Sequence, residues 1–150
     1  LMDLQHEMKQ IETMMNPLAA MHGGVLVVRM EGGLHIRGNP SKFKQAFINM
    51  IMNSIEALQS EGKIEIDVYP DNDKAVIRIA DNGEGMDEAQ IAKLGEPFFS
   101  TKTKGTGLGL MVTFRIIEVM LGTLEFRSAK GKGTEAIVRF PLVNPDQFQT

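Results

Sequence analysis

At 150 residues, with 43% apolar and 23% charged side chains, the chain has the size and make-up of one globular domain able to bury most of its unfolded surface. A net charge of -3 is too small to argue for nucleic acid or a membrane surface, and the lack of cysteine excludes disulfides, thiol catalysis and cysteine-based zinc sites. No apolar run approaches the roughly 18 residues of a membrane span, because Thr113, Arg115 and Glu118 interrupt the longest candidate, and no signal peptide is visible.

In chain order, residues 3–21 read as helical, with Pro17 expected to kink or interrupt them. Gly23-Gly24 ends that stretch, and residues 25–30 read as a strand. Gly32-Gly33 turns into a short second strand over 34–37. A long helix is predicted from Pro40 to about residue 60, with Asn39 as N-cap and Pro40 at the first helical position. Ile64, Ile66 and Val68 alternate with Glu65 and Asp67, the period of a half-buried strand. Pro70-Asp71-Asn72-Asp73 turns it into a further strand, 74–80. Residues 87–94 look like a short helix and 108–121 like a longer one. Residues 123–128 and 134–140 form a closing hairpin, and the residues after Pro141 read as a loose tail. The chain opens at Leu1 without an initiator methionine, which reads as a fragment whose anchor or sensor, if any, lies elsewhere.

Three segments carry candidate chemistry. On the helix from Pro40, Phe43, Phe47, Met50, Ile51, Ser54 and Leu58 fall on one face as a core stripe, and Gln45, Asn49, Asn53 and Glu56 on the opposite one. Such a face is ordinarily just solvated, but asparagine is a poor mid-helix residue. Two of them at i, i+4 project amide oxygens the same way, and neutral oxygens suit a magnesium ion that keeps water and phosphate as its other ligands. Next, the strand over 74–80 runs into Asp81-Asn82-Gly83-Glu84-Gly85-Met86. A carboxylate at a strand end can accept a hydrogen bond from the amine of adenine, where guanine offers a carbonyl. Gly83 and Gly85 let backbone approach a flat ring. The competing reading is an Asn-Gly hairpin turn, against which the helical pattern after Asp87 argues. Third, Lys102-Thr103-Lys104-Gly105-Thr106-Gly107-Leu108-Gly109-Leu110 leads into a helix, offering backbone N–H groups and positive charge to phosphates. It is neither the dinucleotide fingerprint, since Leu110 occupies the third glycine position, nor a Walker loop. Gly131-Lys132-Gly133-Thr134 opens the last strand and alone reads as a hairpin loop.

Together, in this order, the segments resemble the ATP-binding catalytic domain of sensor histidine kinases, in the superfamily shared with gyrase, Hsp90-type chaperones and mismatch-repair ATPases. Residues 45–57 resemble its N box, 81–86 the G1 box, Glu96-Pro97-Phe98-Phe99 the F box, 105–110 the G2 box and 131–134 a G3-like segment. The run from Gly95 to Lys102 followed by Gly-Thr-Gly-Leu-Gly-Leu is most similar to the nitrogen-regulation and sporulation type. The resemblance implies a two-layer α/β sandwich, a mixed, mostly antiparallel sheet with helices on one face, and Mg-ATP as cofactor. It implies Asn53 as magnesium ligand with Asn49 supporting it or contacting phosphate, Asp81 reading adenine, and Thr134 assisting near the base. Gly105, Thr106, Gly107, Leu108, Gly109, Leu110 and Lys102 would hold the triphosphate under a lid anchored by Phe98 and Phe99. It further implies a helical segment at 1–22 leading from a dimerisation domain, the catalytic domain over 23–143 and a tail at 144–150. The expected partners are that dimerisation domain, which carries the acceptor histidine, and a response regulator reached through the full-length kinase. The expected compartment is the cytoplasm, with a parent protein that can be membrane-anchored.

Two departures matter. Glu56 and Ala57 stand where many members have Lys and Tyr, and Asn49 stands where the ATPase branch has a glutamate base, which argues for phosphotransfer over hydrolysis. The alternatives are a stand-alone serine kinase of the anti-sigma type and an ATP-gated module of the gyrase or chaperone kind. His6-Glu7 lacks the proline of an acceptor box, with Gln10 at that position, so His6 reads as a surface histidine and His22 and His35 as structural. The eleven methionines read as adaptable core filler.

Overall fold

The computed structural model describes residues 1–59, 61–93 and 108–144. Its elements are β1 (Met2–Asp3), α1 (Leu4–Met21), β2 (Val25–Met30), β3 (His35–Ile36), α2 (Pro40–Ala57), β4 (Lys63–Asp71), β5 (Lys74–Asp81), α3 (Glu88–Ala92), α4 (Leu108–Val119), β6 (Thr123–Ser128) and β7 (Thr134–Pro141). A five-stranded sheet runs in the order β2-β4-β5-β7-β6. β2 lies parallel to β4, since α2 carries the chain across between them, and the other pairs are antiparallel. This is the expected mixed, mostly antiparallel sheet.

The helices cover one face because the strands alternate. Ile64, Ile66 and Val68 from β4, Ala75, Ile77 and Ile79 from β5, and Ala136, Val138 and Phe140 from β7 are buried against them. From α2 come Phe43, Phe47, Met50, Ile51 and Ile55. Phe43 and Phe47 have ring centroids 4.5 Å apart and meet Phe140 at 6.2 and 6.4 Å. α1 adds Leu4, Met8, Ile11, Met15 and Ala19, all fully buried at helical spacing, so residues 1–22 pack into the same core as the sheet.

Two expectations are corrected. α1 continues through Pro17 without interruption. Burial of Met15 and Ala19 on either side offsets the missing backbone hydrogen bond, which costs about 3 kcal/mol in an isolated helix. The short strand expected over 34–37 is present as His35–Ile36, and it pairs with β1. There, Met2 and Ile36 are buried and the Leu4 N–H donates to the Leu34 carbonyl at 3.0 Å. The stretch after Pro141 is tied down at its start, with Leu142 N–H donating to Asp73 (2.9 Å) and Val143 N–H to His35 (2.8 Å). Residues 145–150 lie outside the described residues.

The α2 N-terminus follows the sequence reading: Asn39 accepts from the Lys42 N–H at 3.2 Å and Pro40 begins the helix. The outer sheet face carries charge. Arg29 on β2 reaches Asp67 (2.7 Å) and Glu65 (2.8 Å) on β4. Arg78 on β5 joins Asp67 (3.1 Å) to Glu135 on β7 (2.6 Å). Arg127 and Glu125 on β6 complete the row, paired at 3.1 Å. Among the described residues, no helix is long and apolar enough to cross a membrane.

Candidate nucleotide-binding site

Asp81 ends β5, between β4 and β7, in the same inward register as the buried Ala75, Ile77 and Ile79. A carboxylate thus terminates an apolar row and sits half-buried at the edge of the core. Burial pushes its carboxyl above the ordinary carboxylate range. Three donors work against that: the Gly83 N–H at 2.9 Å, the Ser54 hydroxyl from α2 and the Thr134 N–H from β7.

The glycines are where backbone passes backbone. A methyl at Gly83 would stand 2.5 Å from the Ala57 carbonyl oxygen, at the C-terminal end of α2. The same carbonyl accepts from the Glu84 N–H at 3.1 Å, so the loop after β5 closes that helix end. Gly85 (φ +72°) and Gly133 (φ +82°) occupy left-handed conformations. A methyl on Gly85 would collide with the Ala129 carbonyl, and one on Gly133 with the carbonyl of Asp81. The Gly131 N–H donates to Glu84 at 2.7 Å, so residues 81–86 and 129–134 form one double loop. Asn82 clamps it to the start of β4, accepting from Lys63 N–H (2.7 Å) and donating to the Glu61 carbonyl (3.1 Å). No hairpin forms at Asn82-Gly83; the chain goes on to α3, capped by the Asp87–Gln90 box.

Asn49 and Asn53 stand one turn apart on α2, as expected, but half-buried rather than on an open polar face, while Gln45 and Glu56 are exposed. α4 packs along α2, the buried Thr113 hydroxyl donating to the Ala46 carbonyl at 3.4 Å. Leu110, half-buried, joins the core, and Leu108 and Gly109 form the first turn of α4. Phe98, Phe99, Lys102, Gly105, Thr106 and Gly107 lie outside the described residues. The structure therefore brings together Asp81, Gly83, Gly85 and Thr134 beside the α2 turn that holds Asn53 and Ser54. Two polar participants escaped sequence reasoning. Ser54, taken for core stripe, donates to Asp81; its signal was a hydroxyl in an otherwise apolar row. Ser128 bonds Met86, Gly133 and Thr134, and nothing in its sequence context marks it. His6 is exposed, its Nε2 3.2 Å from the Gln10 amide. A separate cavity of about 840 Å³ opens between Arg37–Lys42 and the outer side of α4, and none of the expected nucleotide ligands lines it.

Residues 38–144 match the family described as histidine kinase-, DNA gyrase B- and HSP90-like ATPases. The chain belongs to this family. It is 42% identical to sporulation kinase B of Bacillus subtilis over 144 residues, 95% of this chain and 34% of that protein. Sporulation kinase A of the same organism is 42% identical over 108 residues, 72% of this chain and 18% of that one. The chain thus spans about a third or less of these relatives. The catalytic domain of histidine kinase ThkA superposes with a TM-score of 0.83 at 26% identity, covering 93% of each chain. The fold of this ATPase-family domain is that of histidine kinase catalytic domains, and the two Bacillus subtilis relatives are sporulation kinases.

Proposed function

We propose that this chain is the nucleotide-presenting part of a sensor histidine kinase. It holds Mg-ATP so that a histidine on a dimerisation domain attacks the γ-phosphate, which passes on to a response regulator. The observation that carries the reading is Asp81, a half-buried carboxylate with its own hydrogen-bond donors, at the strand end beside Thr134. In this reading Asp81 accepts the adenine amine, Gly83 and Gly85 let the loop that carries it close against the Ala57 and Ala129 backbone rather than admit the ring, and the loop from Lys102 to Leu110 embraces the phosphates. Among the described residues no group of three or more His, Cys, Asp or Glu could hold a metal. The donor set on offer is the amide oxygens of Asn53 and Asn49, which fit an ion that arrives with phosphate and water ligands. Phosphoryl transfer asks mainly for orientation and charge neutralisation, and this domain supplies both. With Asn49 in place of a glutamate base, water activation is weak, which favours transfer over hydrolysis. Segment 1–22 is proposed to connect to the dimerisation domain, with 23–143 as the catalytic unit, in the cytoplasm.

The test uses radiolabelled Mg-ATP. The chain alone binds nucleotide, hydrolyses it very slowly and takes up no acid-labile label. An added dimerisation domain with its acceptor histidine becomes labelled, weakly because no tether raises the effective concentration. Asn53→Ala keeps the fold and loses Mg-dependent affinity by about 1–3 kcal/mol. Wild-type affinity of that variant in magnesium removes the metal assignment, and rapid hydrolysis without a partner favours an ATP-gated module instead.

A further inference from the structure

We infer that Ser128 fixes the direction of the Thr134 hydroxyl and thereby makes the base-facing edge of the pocket accept hydrogen bonds only. The inference rests on the nucleotide reading above, and Ser128 lies outside all of the motifs that led to it. It ends β6 opposite Thr134 on β7, and Thr134 in turn stands opposite Asp81 on β5, so the three residues lie side by side across the sheet end. The Ser128 hydroxyl oxygen lies 2.8 Å from the Met86 nitrogen, 2.7 Å from the Gly133 carbonyl oxygen and 2.9 Å from Thr134 Oγ1.

A serine hydroxyl owns one proton and two lone pairs. The Gly133 carbonyl can only accept, so the Ser128 proton goes there. The Met86 N–H can only donate, and it fills one lone pair. The remaining lone pair must be met by a donor, and Thr134 supplies its single proton. That proton points away from the Asp81 side, and Thr134 is left with lone pairs alone to offer a ligand. Asp81, when ionised, also accepts only. Facing position 6 of the base, two adjacent acceptors take the two protons of a 6-amino group, directly or through a water, whereas the carbonyl oxygen of a 6-oxo purine meets their lone pairs. Ser128 does this without touching the nucleotide, as a positioning residue. Its contact with Met86 also fixes the loop that follows Asp81.

The experiment is a calorimetric titration with ATP and ITP, which share sugar and phosphates and differ at position 6 of the base. Wild type prefers ATP. Ser128→Ala frees the Thr134 proton to turn toward the ligand, and the ATP-over-ITP preference falls by about 5- to 20-fold. Ser128→Thr, which keeps a hydroxyl, retains the preference. Thr134→Val produces the same loss, and adding Ser128→Ala to it changes the ratio no further. The inference is overturned if Ser128→Ala weakens ATP and ITP equally, since that is the mark of a structural role alone. Should that variant not fold, the ratio in Thr134→Val decides: an unchanged preference overturns the inference. A wild-type chain that binds neither nucleotide sinks the nucleotide reading itself, and this inference with it. A wild type that binds both equally sinks this inference and leaves the nucleotide reading standing.

Discussion

Asp81 is the residue at which the fold and the proposed binding role pull in different directions. Its carboxyl holds a proton more tightly in the folded chain than in the unfolded one, because burial outweighs its three hydrogen bonds. A carboxyl so raised costs stability above its folded value, and the cost is relieved as pH falls through that value. Accepting an amine requires the ionised form, so ATP affinity should decline over the same interval. Asp81→Asn is therefore expected to fold with stability within about 1 kcal/mol of wild type at neutral pH, yet bind ATP at least about tenfold more weakly. Parallel melting curves and titrations between mild acid and neutrality check this. The wild type should lose affinity toward acid more steeply than the variant, and parallel profiles would remove Asp81 from the binding edge. Ser54 belongs to the same account, since its hydroxyl tempers the cost of burying the carboxylate.

Between elements, the double loop that joins β5 to the β6–β7 turn decides whether the site exists. Gly131 and Gly133 have nearly the same dihedral, φ +78° and +82°, but different surroundings: a methyl at Gly131 meets nothing, and one at Gly133 meets the Asp81 carbonyl. Gly131→Ala should cost about 1–2 kcal/mol, the strain of a left-handed alanine. Gly133→Ala should cost more than that and abolish nucleotide binding, because β7 must move away from β5. Denaturant midpoints and binding of the two variants test the contrast; equal effects would mean the close approach is unimportant. Much of this level was legible in the sequence. β2, α2 with its Asn39 cap, and the β4–β5 pair carry their own punctuation or alternation, and Asp81-Asn82-Gly83 marked a loop leading on to a helix rather than a hairpin. Other features were not legible because long-range packing decides them. Two-residue strands such as Met2–Asp3 have no period to detect, and Pro17 survives inside α1 through buried neighbours. Ser128 gains its contacts only when β6 meets β7, and the half-burial of Asn49 and Asn53 is settled by tertiary packing.

Across the whole molecule, the sheet has an apolar face under the helices and a charged one outside, where side chains from β2 to β6 alternate in sign. The Asp67 carboxyl is held below the ordinary range chiefly by its hydrogen bond to Arg29, and Glu65 likewise. Depressed carboxyls contribute stability that is present above their unfolded values and lost as pH falls through the folded ones, here below about pH 4. Arg78 is the half-buried joint between Asp67 and Glu135, whereas Arg127 is largely exposed. Arg78→Ala should therefore lower stability by about 1–2 kcal/mol and Arg127→Ala by less than about 0.5 kcal/mol. The Arg78 effect should shrink in acid, and urea unfolding at two pH values measures it. β7 has a further consequence. It is the last of the described strands along the chain, yet it lies inside the sheet, between β5 and β6. A growing polypeptide consequently lacks the proposed nucleotide site until the residues up to Pro141 have emerged and β7 has slotted into that gap. Ligand then binds only the completed sheet, so it adds to the free energy of global unfolding with the logarithm of its concentration and leaves nascent intermediates untouched.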